Sequence, residues 1–482
     1  MKKIILFVAV SVFVVSVYAQ NSSQNEYEEW KPSQDEYSDF DIGKYYTPDI
    51  VRNQLDFQFA FYSSTSLNDN FYPNWDERNV SSYFTGNITS SFSHYVNTRK
   101  QISRLTGVLS VGGDYTSQKK EETFTDSKIT TINKTFNSIP HNSFNLGWSN
   151  QWYFSNLFFM DYGIYSRISY NFSHYEIKNQ TEDINQKQKD FSLDLSPRVG
   201  IGYGRIEHVH DARQAVYIAN ALSKKKVLTR NLSSDELFEL SQIISTVKNK
   251  RFLDARLHLI EEITTVDSFF ERNDLLADNG AAYFTTLYDM WQYGDLFPRK
   301  SGYEISFGAR PFYRIQNIKY TPAIREVISH SNQHLIGVNF SYEKPVKLKW
   351  QHSLYTDVYG GFNSSTYQNK ETGKDTRNDS KHKSIVASAG YSLGYYPNTR
   401  TNIQLTASQR ILKNVYDDEG NEMFSYSMLG ASLYYYFSPN LRLSGDYRLM
   451  YEPTRSNRPT GYFADSNRLS SWFNVQLTYS VF

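Results

Sequence analysis

Cysteine is absent from this chain of 482 residues, so disulfide bonds and thiolate metal sites are excluded. Because no cysteine follows the apolar N-terminal run, a lipid anchor attached there is excluded as well. Beyond that run the chain has no stretch of about 20 consecutive apolar residues, and no transmembrane helix is expected. The formal net charge of +1 argues against a protein dedicated to binding nucleic acid.

Aromatic residues, in contrast, are plentiful. The chain contains 39 tyrosines and 32 phenylalanines, far above the usage of ordinary globular proteins. Its mean hydropathy is nevertheless negative, at −0.58. A transmembrane β-barrel accounts for both observations, because only alternate residues of each strand face lipid and aromatic rings collect at the two membrane interfaces.

Apolar and polar residues alternate through most of the chain. In residues 441–451, leucine and tyrosine occupy most of one set of alternate positions, and arginine, serine and aspartate most of the other. Successive strand side chains point to opposite faces, so such a segment is a strand with one apolar and one polar face. The pattern predicts an all-β transmembrane barrel of about 14 antiparallel strands. They are placed from about 51 onward and at 81–96, 101–117, 139–154, 157–176, 189–204, 302–318, 333–343, 347–363, 384–396, 400–415, 422–437, 441–452 and 468–482.

The first 50 residues differ from the rest. Lys2 and Lys3 precede an apolar run, and small residues end at Ala19, which together predict a signal peptide at 1–19 cleaved after Ala19. Residues 20–50 are polar and lack periodicity. They are predicted to form either a disordered tail or a plug that enters the barrel.

A second interruption lies at 207–297, where apolar residues recur at helical spacing. Ser233 and Glu236 have the spacing of a capping box. Two amphipathic stripes are predicted, one at Leu237, Leu240, Ile243, Ile244 and Val247 and the other at Phe252, Leu253, Leu257, Ile260, Ile263, Val266 and Phe270. Residues 51–206 are therefore assigned to strands 1–6, 207–297 to a helical insert and 298–482 to strands 7–14.

The connections between strands suggest an orientation. Some are short turns, such as Ser155-Asn156 and Pro397-Asn398. Longer polar loops are predicted at 118–136, 178–188, 321–332, 364–383, 416–421 and 453–467. Because outer-membrane barrels have short periplasmic turns and longer external loops, both termini and the insert are expected on the periplasmic side. There the insert could pack on itself or bind an envelope protein.

Charged residues of both signs occupy the polar face of the predicted strands. They are Asp56, Arg104, Asp114, Asp161, Arg167, Asp194, Arg198, Glu304, Arg310, Arg314, Asp357, Arg410, Arg442, Asp446 and Arg448. An arginine facing lipid would cost about 2–4 kcal/mol at the membrane midplane, so this face is predicted to line the lumen. Two roles remain open for these residues: a water-filled passage, or paired ions that stiffen the wall.

Signals for catalysis or metal binding are weak. His141 and Ser143 share one face of a strand, as the histidine and serine of outer-membrane phospholipases do, but Phe144 claims the lipid face and the surrounding motif is absent. His208 and His210 form a close pair without a third ligand at suitable spacing. The expectation is no enzyme, no cofactor and no metal.

The Tyr/Phe-rich strands, the turn from Tyr436 to Leu441 and the terminal Phe482 resemble the outer-membrane β-barrel proteins abundant in Bacteroidota. The stretch 202–207, followed by 211–215, resembles a segment of uncharacterised barrels of this group. One departure concerns the last strand, whose apolar positions Phe473 to Val481 have the opposite parity to Phe482.

Three functions follow as expectations. The first is a porin-like outer-membrane channel for small polar solutes, exported by a cleaved signal peptide and surrounded by outer-membrane lipids. The second is a non-conducting scaffold or assembly subunit whose insert at 207–297 binds a periplasmic or outer-membrane protein. The third is a transporter of lipids or other hydrophobic compounds. None of the three involves nucleic acid.

Overall fold

The computed structural model describes residues 37, 39–72, 74–124, 130–178, 183–249, 255–293, 298–322, 325–371, 373–416, 420–438, 441–457 and 465–479. The chain divides into two compact units, Met1–Asp39 and Phe40–Phe482, and every element named here belongs to the second. The predicted signal peptide and the tail up to residue 36 lie outside the described residues.

Fourteen antiparallel strands form one sheet in the described residues, and their spatial order follows the chain from β1 to β14. The strands are β1 Ile50–Tyr72, β2 Trp75–Asn97, β3 Gln101–Phe124, β4 Thr130–Tyr153, β5 Phe158–Lys178, β6 Asp183–His208, β7 Lys300–Thr321, β8 Arg325–Val346, β9 Trp350–Glu371, β10 Lys374–Tyr395, β11 Thr401–Tyr416, β12 Gly420–Ser438, β13 Leu441–Ser456 and β14 Ser466–Tyr479. A helical segment joins β6 to β7. The predicted fold class, an all-β barrel of about 14 strands with a helical insert, is confirmed.

Each strand has an exposed apolar face and a polar face, and ladder partners share a face. Leu109 pairs with Phe144, and Phe144 pairs with Ile168; all three side chains are exposed. In the last strand, Phe473 pairs with Tyr447. The apolar residues of β14 therefore share the apolar face of β13, whatever the parity of the terminal residue.

The polar face is concave. Arg205 of β6 donates to the side chain of Asn97 of β2 at 2.6 Å, and Gln151 of β4 donates to Glu304 of β7 at 2.5 Å. Neighbouring strands are about 4.8 Å apart, so a flat sheet would separate β2 from β6 by about 19 Å. One arginine side chain cannot span that gap. The sheet must therefore curl around its polar face.

Several strands are longer than the alternation predicts. The loops predicted at 118–136, 178–188, 321–332 and 364–383 are wrong in extent, because the strands continue through most of these residues. Polar contacts hold the ladders there: Lys120 of β3 lies 3.0 Å from Glu77 on the neighbouring β2, and 2.8 Å from Glu122 in its own strand. Such contacts stabilise paired strands without an apolar face, so a search for alternation misses them.

The insert contains four helices within the described residues: α1 His210–Lys224, α2 Ser234–Asn249, α3 Ala255–Arg272 and α4 Ala281–Tyr293. Helix α1 packs against α2 and α4. In this part of the chain, no helix combines the length and the apolar character needed to cross a membrane.

The capping box predicted at the start of α2 is present. The backbone N–H of Ser233 donates to the Glu236 carboxylate at 2.7 Å, and the N–H of Glu236 donates to the Ser233 hydroxyl at 3.3 Å. The amphipathic stripes are present in part. Leu237 and Leu240 are buried, but Ile260 is 78% exposed, contrary to prediction, because helical periodicity identifies an apolar face without identifying what covers it. The side chains of Phe252, Leu253 and Leu257 lie outside the described residues.

The segment preceding β1 lies against the insert and β7. The hydroxyl group of Tyr45 is 2.7 Å from that of Ser245 in α2, and Thr47 donates to the carbonyl of His208 at 3.1 Å. Ser301 of β7 donates to the carbonyl of Gly43 at 3.3 Å. The end of the predicted polar tail is therefore tied to the mouth of the barrel at which β6 ends and β7 begins.

The edges of the sheet are β1 and β14. A closed barrel requires a ladder between them, and none is present among residues 50–72 and 466–479. Most side chains of both strands are exposed. An open edge could not be satisfied in lipid, so a location in a membrane would require the seam to close.

Closure can be tested by disulfide formation in a chain that has no other cysteine. Gln54→Cys in β1, combined in turn with Asn474→Cys, Gln476→Cys and Thr478→Cys in β14, should give at least one intramolecular disulfide, because all four positions are on the polar face. Gln54→Cys with Phe473→Cys, on opposite faces, is the control. Gel mobility after oxidation distinguishes the products, and disulfide-linked dimers alone would contradict closure within one chain.

Candidate functional site

The ladder register puts all fifteen predicted charged residues on the polar face, although their role in lining a lumen stays a prediction. Arg104, for instance, pairs with Tyr95 and Ser149, and Asp194 pairs with Arg314. The complete set is Asp56, Arg104, Asp114, Asp161, Arg167, Asp194, Arg198, Glu304, Arg310, Arg314, Asp357, Arg410, Arg442, Asp446 and Arg448.

Ion pairs take up some of these charges. Arg314 donates two hydrogen bonds, of 2.6 and 2.7 Å, to the buried carboxylate of Asp194. Arg198 lies 2.8 Å from Asp161. The Arg314–Asp194 pair is bidentate, and bidentate pairs fix the geometry of both partners. Such pairing is the arrangement expected for one of the two roles left open by the sequence, stiffening of the wall, which stays a prediction.

Other arginines of the set have no carboxylate partner in the described residues. Arg104 lies over the ring of Tyr95 at 5.9 Å. Arg310 lies over the ring of Tyr359 at 4.6 Å and donates to the Asn339 side chain at 3.1 Å. Arg104, Arg310 and Arg198 border a cavity of about 350 Å³, whose lining also includes Thr106, Ser149 and Ser196.

Arg205 reaches the polar side of the sheet through a local inversion of the strand. Its ladder partner Tyr303 is exposed on the apolar face, yet the Arg205 side chain is only 8% exposed. The preceding Gly204 has a φ of +108°, and Gly302 on β7 has a φ of +121°. Glycine adopts this region readily, whereas other residues rarely do. The two glycines let the strand twist so that Arg205 turns inward.

At this inward position Arg205 connects distant elements. It donates to the carbonyl of Thr98 at 2.9 Å in addition to the Asn97 side chain. Its Nε lies 2.7 Å from a Glu207 carboxylate oxygen, and its guanidinium lies 4.8 Å from the centre of the Tyr153 ring. Arg205 thereby ties the end of β6 to the β2–β3 turn.

Two buried arginines lie where the insert meets the wall, both over the ring of Tyr396. Arg299 donates to the carbonyl of Leu348 at 2.6 Å and to the carbonyl of Trp350. Arg213 of α1 lies over the rings of Tyr217 and Tyr396 at 5.3 and 5.2 Å, and its Nη atoms have no acceptor among the described residues. Burial, and then the nearby Arg213, lowers the pKa of Arg299 to about 10.

The interior of the insert contains one buried carboxylate with several partners. Asp211 of α1 accepts from Lys248 at 3.2 Å and from Ser245. Burial alone would raise the pKa of Asp211, but Lys248, His210 and the Ser245 hydrogen bond outweigh it, so the pKa is lowered. At the start of α2, the hydrogen bond from Arg230 lowers the pKa of Glu236 to about 2. Both carboxylates are ionised at neutral pH. Asp211 joins α1 to α2, whereas Glu236 joins the start of α2 to the segment before it.

The histidines noted in the sequence remain without an assigned chemistry. His141 lies on the polar face 3.9 Å from Asp114. The rings of His208 and His210 are 5.7 Å apart. In the described part of the chain, no three His, Cys, Asp or Glu residues are grouped closely enough to hold a metal ion.

Sequence reasoning missed Arg205, Arg213 and Arg299. A signal existed for the first two, since they lie in the paired stretches 202–207 and 211–215. The alternation along β6 would have assigned Arg205 to the apolar face. Nothing in the sequence around Arg299 marks it as buried.

The sequence matches no protein family and no curated protein. Among solved structures, the chain is similar to the transport unit of the autotransporter AIDA-I from Escherichia coli, with 10% identity, 89% of this chain and 90% of that chain covered, and a TM-score of 0.23. It is also similar to the siderophore receptor PirA from Pseudomonas aeruginosa, with 8% identity, 90% and 81% covered, and a TM-score of 0.13. Similarities this weak carry no argument about this chain.

Proposed function

We propose that this chain is a porin-like outer-membrane protein that lets small polar solutes cross through the space enclosed by its polar face. The observation that carries the proposal is a cavity of about 350 Å³ into which the polar face brings three arginines and the hydroxyl groups of Thr106, Ser149 and Ser196. Trp148, Ile164 and Tyr165 complete its lining. A sheet that curled around a structural core would bury apolar side chains there. This one places three guanidinium groups there, beside the apolar residues.

The membrane location is supported by the convex face. Phe57, Phe61, Ile201 and Phe362 are each more than 60% exposed, and residues like them recur along nearly every strand. Monomeric soluble proteins seldom expose apolar patches beyond a few hundred Å². Lipid would cover this face and remove the cost of its exposure to water. Export by a cleaved signal peptide at 1–19 is part of the same proposal.

The insert is assigned the role of narrowing one mouth of the passage. It is tied to the segment before β1 through Tyr45 and to Tyr396, which follows β10, through Arg213. The N–H of Val209, just before α1, donates to the carbonyl of Arg299 at 2.9 Å. These contacts come from different sides of the mouth. An insert held in this way restricts the opening rather than hanging free of it.

Conductance of the purified full-length protein in planar bilayers tests the proposal. Stepwise, ohmic currents in potassium chloride are expected, because ions follow a water-filled polar passage. Deletion of residues 209–296, with the strands joined by a short turn, should raise the current of each step. The absence of any current from both folded proteins would overturn the proposal.

A scaffold is the second candidate, and the outer surface of the insert favours it. Ile260 of α3 is 78% exposed, and Phe284 and Tyr288 of α4 are 51% and 43% exposed. Exposed apolar residues outside the wall are suited to contact with an envelope protein. Under this alternative, the intact protein gives no current, and an envelope protein purifies with it but not with the deletion variant.

A further inference from the structure

Four arginines lie on one row of the polar face. The ladders align Arg52 with Tyr95, Tyr95 with Arg104, and Arg104 with Ser149. The row continues through Gly163 to Arg198. Since Val199 pairs with Ala309, Arg310 is the next residue of the row. Arg52, Arg104, Arg198 and Arg310 are called the arginine row below.

Positive charge is in excess at this row. Asp161, one step along β5, neutralises Arg198. Glu304 lies on the same side of the row and accepts from Gln151. Asp56, four residues after Arg52 in β1, accepts from Gln54 at 2.8 Å. Three acids thus stand against four guanidinium groups. Arg52, Arg104 and Arg310 have no carboxylate partner in the described residues. A further acid, Asp194, is held by Arg314, which is outside the row.

The space beside the row has the size and donors for a small anion. Gly163 contributes no side chain to the middle of the row, and the cavity of about 350 Å³ opens there between Arg104, Arg198 and Arg310. That volume is in the usual range for small-molecule sites. Stacking on Tyr359 and the bond to Asn339 hold the Arg310 guanidinium. A guanidinium presents paired N–H donors that match the oxygens of a carboxylate or phosphate.

We propose that the arginine row is a binding site for small oxyanions, so that the passage selects solutes that carry a phosphate or carboxylate group. This proposal rests on the proposed function for the passage itself, and it names the class of solute. The near balance of charge counted over all fifteen predicted residues does not oppose it, because the acids close to the row are outnumbered.

Reversal potentials across a gradient of potassium chloride test the selectivity. The unmodified protein should favour chloride over potassium by about fivefold, and the Arg104→Ser/Arg310→Ser variant should lose most of that preference. Millimolar inorganic phosphate should reduce the chloride current of the unmodified protein but not that of the Arg104→Ser/Arg310→Ser variant.

The control, Arg410→Ser/Arg442→Ser, removes the same charge from the same face on other strands. It should keep both the preference for chloride and the block by phosphate. Equal loss of selectivity in the two variants would overturn the proposal.

Binding of inorganic phosphate to the detergent-solubilised protein, measured by calorimetry, gives a readout that needs no current. Binding that disappears in Arg104→Ser/Arg310→Ser but persists in the control supports the site, even if the bilayers stay silent and the passage is refuted. Conductance without phosphate binding or anion preference would refute the site and leave the passage intact. A heat-modifiable mobility on gels verifies that each variant is folded.

Discussion

Gly204→Ala is expected to destabilise the barrel by about 3 kcal/mol or more, and to reduce the yield of folded protein sharply. The φ of +108° at Gly204 disfavours any residue with a Cβ. A Cβ there would also overlap the carbonyl group of Tyr303 on β7. Relief of both strains would return Arg205 to the apolar face and break its bonds to the β2–β3 turn. Unfolding in guanidinium chloride, followed in detergent micelles, measures the loss.

Gly107→Ala is the matched control for this change. Gly107 lies in β3, and a Cβ added there would meet no atom within 4 Å. The same methyl group should therefore leave the stability within about 0.5 kcal/mol of the unmodified protein. If both alanine variants were equally stable, the inverted backbone at Gly204 would not be required for the fold.

Arg299→Met should destabilise the barrel by about 3 kcal/mol, whereas Arg213→Met should leave its stability unchanged or increase it. Arg299 donates to backbone carbonyl groups of the β8–β9 turn, which lose their buried donors in the variant. Arg213 is just as buried, but its Nη atoms satisfy no acceptor in the described residues. In the variant, the contacts of Arg213 with the rings of Tyr217 and Tyr396 are lost, but the folded state no longer contains a buried guanidinium charge.

The two methionine variants are a matched pair, because each replaces a long cationic side chain by an unbranched apolar one beside the same ring, that of Tyr396. Comparing their unfolding midpoints separates hydrogen bonding from charge. A loss of several kcal/mol in Arg213→Met would mean that this guanidinium contributes more through Tyr217 and Tyr396 than contacts of this kind usually do.

Much of the wall could be predicted from the sequence, because a period of two is imposed wherever the two faces of a strand meet different surroundings. Parity alone assigned Arg104, Arg198 and Arg310 to one face, and the ladders agree. The alternation of faces does not determine how far along the barrel axis a residue lies. Which of these arginines share a row depends on the register of every hairpin between them, and turns do not encode that register at a distance.

Other features could not be predicted from the sequence, each for a local structural reason. The ends of long strands such as β3 and β4 are paired through polar side chains and have no apolar face to find. Arg205 follows a glycine whose φ reverses the alternation. In the insert, the capping box at Ser233 was recognisable because it is a contact between residues three apart. The partners of Arg299 are about 50 residues away, and no sequence pattern connects them.

The ties of the segment before β1 have a consequence for the order of assembly. Tyr45 meets its partner 200 residues later in the chain, and Gly43 meets Ser301 258 residues later. Closing loops of such length is entropically costly, and neither partner exists for an emerging chain until the insert has been made. We therefore expect the first strand of the chain to be among the last to take its final position. Its free edge would stay available to β14, which is synthesised last.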